Sequence, residues 1–107
     1  MSAERIRDLN DTFRRSFAGG RVMMTAGVAA MTEEQRAEVF ERVRTFEAFT
    51  PDNDPDGQHD FGNFEVAGQK LFWKIDAYDA AMEFGSEDPA DPSKTTRVLT
   101  IMLASEY

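Results

Sequence analysis

Apolar residues along the chain keep two rhythms, one of three and four, the other of two. Over residues 4–17, Ile6, Leu9, Phe13 and Phe17 recur at helical spacing with Arg and Asp between them, which predicts an amphipathic helix. Gly19-Gly20 ends it, and the short run Arg21-Val22-Met23-Met24-Thr25 then reads as a strand. Thr32-Glu33-Glu34-Gln35 opens a second helix as a capping box: the Thr32 hydroxyl accepts from the Gln35 amide while the Gln35 side chain reaches back. Val39, Phe40, Val43 and Phe46 share one face, carrying this helix to about residue 48. Pro51, Asn53, Pro55 and Gly57 make 50–60 a loop.

From Phe61 the period shortens. Phe64 and Val66 flank Glu65, Ala67-Gly68 makes a tight turn, and residues 70–76 alternate. Leu71, Trp73 and Ile75 fall on one face, with Phe72 and Lys74 on the other, so the pair of runs predicts a hairpin. Met82-Glu83-Phe84 is a candidate third strand, although Ala80-Ala81 would equally extend a helical turn. Asp91 and Pro92 suit the cap and first position of a final helix carrying Val98, Leu99, Met102 and Leu103. A strand over 97–103 is the alternative reading of that apolar segment; the cap favours helix. The expectation is a single α+β domain over 1–107: helix, short strand, helix, antiparallel two- or three-stranded meander, C-terminal helix.

Composition narrows the function classes. The chain has 107 residues, no cysteine and nine Phe. It offers no disulfide scaffold, Cys-based zinc site or Cys nucleophile. No apolar run approaches a membrane span, and the opening residues lack a signal-peptide core, so the expected location is cytoplasmic. The net charge is −8 and it is segregated. Residues 1–49 balance eight Arg against eight acids, whereas 50–107 hold twelve acids against Lys70, Lys74, Lys94 and Arg97. Such a field repels phosphate backbones and lipid headgroups and attracts a basic surface. Neither direct nucleic-acid binding nor membrane binding is expected.

Several local patterns carry candidate chemistry. Asp52-Asn53-Asp54-Pro55-Asp56-Gly57 opens like a calcium loop but places Asn63 where the bidentate Glu belongs, with Asp60 as weak compensation. Turn formation accounts for these residue types equally well, so no metal and no cofactor are expected. His59-Asp60 is the sole His–carboxylate pair in the sequence. It is a candidate general base, yet a lone imidazole with no nucleophile context fits a structural role better, and no catalytic residue is assigned. The glycines match no phosphate-binding motif. Met23, Met24 and the Phe series are expected in the core, and Arg5, Arg7, Arg14 and Arg15 with Asp8 and Asp11 on a solvated face.

The stretch 76–91 differs in kind. Asp76, Asp79, Glu83, Glu87, Asp88 and Asp91 stand there with no Lys or Arg among them. Asp52, Asp54, Asp56, Asp60 and Glu65 extend the acidic series back to residue 52. Displayed on one side, these carboxylates would present charge as a phosphate ladder does; a surface kept only for solubility is the plainer account.

The literal segments Phe49-Thr-Pro-Asp-Asn-Asp-Pro55, His59-Asp-Phe-Gly62, Phe72-Trp-Lys-Ile-Asp76, Phe84-Gly-Ser-Glu-Asp-Pro-Ala-Asp-Pro92 and Thr95 to Tyr107 carry a resemblance. Together they resemble a small bacterial domain family of unknown function, found mostly on plasmids, phages and other mobile regions of alphaproteobacteria. The resemblance implies a bacterial cytoplasmic protein often encoded near genes that counter host defence, and no assigned reaction. With the charge distribution it gives the leading expectation: a non-enzymatic acidic protein that blocks a basic nucleic-acid-binding partner, as an anti-CRISPR or anti-restriction inhibitor of the DNA-mimic kind. The alternatives are a small metal-binding or hydrolytic domain centred on the Asp52–Asp60 loop and His59, and a housekeeping domain with a solvated acidic surface.

Overall fold

A computed structural model describes residues 2–107. The chain runs α1 (Ser2–Ser16), β1 (Arg21–Met24), α2 (Ala26–Ala29), α3 (Glu33–Arg44), β2 (Phe61–Val66), β3 (Gln69–Tyr78) and β4 (Thr96–Leu103). Short 3₁₀ turns occupy Pro92–Lys94 and Ala104–Glu106. The strands form one sheet in the order β1-β4-β3-β2, with β2-β3-β4 an antiparallel meander and β1 parallel to β4. The α+β class read from the sequence is the observed one.

Local chemistry explains most elements. The capping box at Thr32 is present in both directions, with Gln35 N donating to the Thr32 hydroxyl at 3.1 Å and Thr32 N to the Gln35 side chain at 3.0 Å. α3 stops at Arg44, short of residue 48, and Phe46 packs into the core from beyond the helix end. Ala67 and Gly68 both take positive φ, 55° and 76°, the geometry a two-residue hairpin turn demands. Leu71, Trp73 and Ile75 point into the core as their alternation predicts, against Phe13, Val39, Val43 and Phe46 from the helical side. Gly62 lets the indole of Trp73 approach β2 closely. A Cβ there would sit 2.3 Å from Trp73 Nε1 and 2.9 Å from the Phe46 ring. Gly62→Ala is therefore expected to cost about 1–3 kcal/mol by overpacking, measured by urea unfolding.

Three expectations need correction. The last element is a strand: the Asp91 carboxylate caps by accepting from Ser93 N at 2.9 Å, but what it caps is the three-residue 3₁₀ turn. Thr96–Leu103 then lies between β1 and β3, with Leu99 and Ile101 in the core under the helices and Val98 and Met102 buried by their strand neighbours on the outer face, so its apolar residues fall on both faces and mimic a helix apolar all round. Residues 82–84 form no strand; a single bridge joins Tyr78 to Gly85 and closes a tight turn. Met23, Met24 and Phe84 lie at the surface, 54%, 43% and 72% exposed, and not in the core. The outer face of the sheet carries Phe61 and Phe72, with the Tyr107 ring 5.9 and 5.3 Å from them. No helix among the described residues is long and apolar enough to cross a membrane.

Candidate functional site

The helical stripe of α1 brings polar groups inward. Ile6, Asn10, Phe13 and Arg14 fall on one face, and Asn10, Asp11 and Arg14 are buried with the apolar residues. The expected solvated face thus holds only in part. Arg14 is fully enclosed: Nη2 donates to Asp11 Oδ1 at 2.9 Å and Nη1 to Val43 O and Arg44 O at 2.9 and 3.3 Å. Arg14 thereby caps the C-terminal end of α3, where Val43 O also accepts from Phe46 N at 3.4 Å. The guanidinium lies 5.5 Å from the Phe49 ring and 5.2 Å from Trp73.

Asp11 links this buried arginine to the 50–60 loop. His59 Nδ1 lies 3.0 Å from both Asp11 oxygens, and Nε2 lies 3.6 Å from Asp54 Oδ2. The other Asp54 oxygen accepts from His59 N at 3.1 Å, and the Phe49 ring stacks flat on the imidazole at 3.7 Å. His59 holds φ at +53°, a left-handed conformation this network keeps in place. Its carboxylate partners are Asp11 and Asp54, not the neighbouring Asp60. Nδ1 is thus held at hydrogen-bond distance by Asp11, while Nε2 has a carboxylate near it beyond hydrogen-bond range. A shallow cleft of about 430 Å³ lined by Phe49, Pro51, Asp54, Asp56 and His59 lies alongside. The calcium-like spacing does not converge, because Asp54 turns inward to His59 while Asp52 and Asp56 remain exposed. No set of three metal-ligating side chains comes together among the described residues.

The two acidic loops leave the same end of the sheet. Phe61, where the 50–60 loop enters β2, pairs with Lys74; Tyr78 and Thr96, which bound the second loop, pair with each other four residues further along β3. Asp60 lies among acids of its own loop and of β3. Burial raises its carboxyl above the ordinary range, and Asp54, Asp56 and Asp76 add to the rise, against its own backbone N–H, which lowers it. A carboxyl raised on folding costs stability wherever it is ionised. Asp60→Asn is therefore expected to raise the melting temperature at neutral pH, with the gain shrinking as pH falls through the raised value and gone below ~4, where the unfolded carboxyl is protonated too.

The remaining acids have varied employment. Asp79, Asp88 and Asp91 accept backbone N–H groups of Glu83, Ala90 and Ser93, and so shape the 79–95 loop. Asp76 pairs with Lys74 at 2.9 Å and Glu87 with Lys94 at 3.7 Å. Asp54 is buried and faces no partner surface. Glu65 lies at the opposite end of the sheet, across from Lys70 beside the hairpin turn. Asp52, Asp56 and Glu83 are exposed, with side chains that take no partner among the described residues.

The tie between the loops was missed from the sequence. Asn10 Nδ2 donates to Gln58 O at 3.0 Å while its oxygen accepts from Arg97 Nε at 2.7 Å. Arg97 also reaches Pro89 O, and Arg5 reaches Ala90 O. The signal was available in the α1 stripe, where Asn10 and Arg14 stand four and eight residues after Ile6.

Comparison with known proteins adds one match. No curated protein and no solved structure matches the chain. The model of a protein family of unknown function matches residues 24–106, a stretch that holds α2, α3, β2, β3, β4 and both acidic loops. The chain belongs to that family, DUF3768.

Proposed function

We propose that this is an acidic, non-enzymatic binding protein that docks the loop end of its sheet against a basic, nucleic-acid-binding surface of a partner. The observation that supports this most is the emergence of both acidic loops at one sheet end, braced through Asn10, Arg97 and Arg5 into a fixed display. A rigid array loses little entropy on docking, and its field steers a basic groove toward it. Asp52, Asp56 and Glu83 are the carboxylates free to replace phosphates. The partner that fits is a CRISPR effector or restriction enzyme, with the protein acting as an inhibitor carried on a mobile element of alphaproteobacteria in the host cytoplasm.

Affinity capture from a bacterial lysate carrying such a defence system tests this reading. The expected result is a nucleic-acid-binding protein that is retained at low salt and released by salt or by duplex DNA. Retention of no such protein, or release by salt but not by DNA, contradicts it.

A further inference from the structure

We propose a second binding site at the other side of the molecule's open sheet face: the edge of β1 and the groove beside it take a short extended peptide segment of a partner. The segment pairs antiparallel to β1, with a carboxylate side chain opposite Arg21 and an apolar one opposite Met23. Three observations converge on it. The first is the hydrogen-bonding edge. β1 is the outermost strand, its register to β4 is unbroken, and it carries no proline. Thr25 N donates inward to Ile101 O at 3.1 Å, so the alternation of a parallel ladder turns the N–H and C=O groups of Val22 and Met24 outward. They take no partner among the described residues, and such an edge is a template for another strand.

The second observation is apolar. A groove of about 470 Å³ opens on the outer sheet face just inward of this edge, with Arg21 and Met23 of β1 as its outer rim and Val98, Thr100, Tyr78 and Met82 beyond them. Methionine-lined surfaces adapt to varied side chains. The third is a charge without a counterpart. Every other arginine donates a hydrogen bond or pairs with a carboxylate, while Arg21, exposed at the rim of the groove, does neither among the described residues.

These features select the occupant. Arg21 and Met23 share one face of β1, and residues directly opposite on an added strand lie ~5 Å away, within reach of an ion pair and an apolar contact. A second copy of the chain fits poorly. Four edge residues per copy fall far short of the ~1,200 Å² that a stable interface buries, and two chains of net charge −8 repel. A short, weakly held peptide needs neither a large area nor a second acidic surface.

Amide NMR on isotope-labelled protein provides the test, with two capped pentapeptides at millimolar concentration: Thr-Val-Thr-Asp-Thr and Thr-Val-Thr-Lys-Thr. The Asp peptide is expected to shift the amides of Val22 and Met24 and the residues lining the groove, and to bind about tenfold more tightly than the Lys peptide. Arg21→Glu is expected to invert that preference. Val22→Pro, which removes an outward N–H while leaving the ladder to β4 intact, is expected to abolish binding of both peptides with the rest of the spectrum unchanged. No response at β1 to the Asp peptide, equal affinity for both peptides, or β1 shifts that follow protein concentration without peptide would each overturn the proposal. The last of these would identify a second copy as the occupant.

Discussion

Replacing Arg14 by Met is expected to cost about 3–5 kcal/mol of folding stability, because it breaks a buried ion pair by removing one partner. Met keeps most of the stem that packs between Phe49 and Trp73 but supplies no donor. Asp11 then loses a bond of 2.9 Å, Arg44 O loses the Arg14 donor, and Val43 O keeps only the longer bond from Phe46 N. Against a total stability of about 5–15 kcal/mol, that loss leaves the fold marginal. The Asp11→Asn/Arg14→Met double variant is expected to lose less than the sum of its singles, since it removes a carboxylate that the single variant leaves with only His59 and the more distant Arg15. Urea unfolding followed by circular dichroism reads both. A loss under about 1 kcal/mol for Arg14→Met would mean that the pair adds nothing beyond what an exposed pair gives.

How far the sequence could be read depended on how locally each element is determined. The Thr32 capping box and the Ala67-Gly68 turn are decided by side chains within a few residues, and both were legible. So was the inward face of Leu71, Trp73 and Ile75, because a strand covered by helices on one side keeps a clean alternation. β4 reads as a helix because a central strand buries apolar residues on both faces, Leu99 and Ile101 on one and Val98 and Met102 on the other, which blurs its period. The Asp91-Pro92 cap was real, but a cap reveals where a turn starts and not how far it runs. Met23 and Met24 looked like core residues and lie on an edge, a position that only the strand order reveals. His59 found Asp11, 48 positions away, instead of its neighbour Asp60, through a turn of the backbone that no spacing rule encodes. The acidic series was legible as a list; its convergence at one sheet end needed the register of β2, β3 and β4.

That convergence makes charge reversal informative. Asp56 and Glu83 are exposed and unpaired at the loop end, whereas Glu33 and Glu34 are exposed at the start of α3. The far end of that helix leads into the 50–60 loop, and twelve helical residues put ~18 Å between its two ends. That exceeds the Debye length of ~8–10 Å at physiological salt, so the helix acids are screened from a partner held at the loops. Both double reversals to Lys change the net charge equally, and a purely global field would weaken binding equally in both.

The decisive measurement is the affinity of the captured basic partner for three proteins at physiological salt: the unaltered chain, Asp56→Lys/Glu83→Lys and Glu33→Lys/Glu34→Lys. Circular dichroism confirms that each is folded, since reversal at the start of α3 opposes the helix dipole and costs some stability. A local acidic surface predicts a loss of ~100-fold or more for the loop pair, the scale of like charges brought together in an interface, and a few-fold for the helix pair. Equal losses from both pairs would contradict the account.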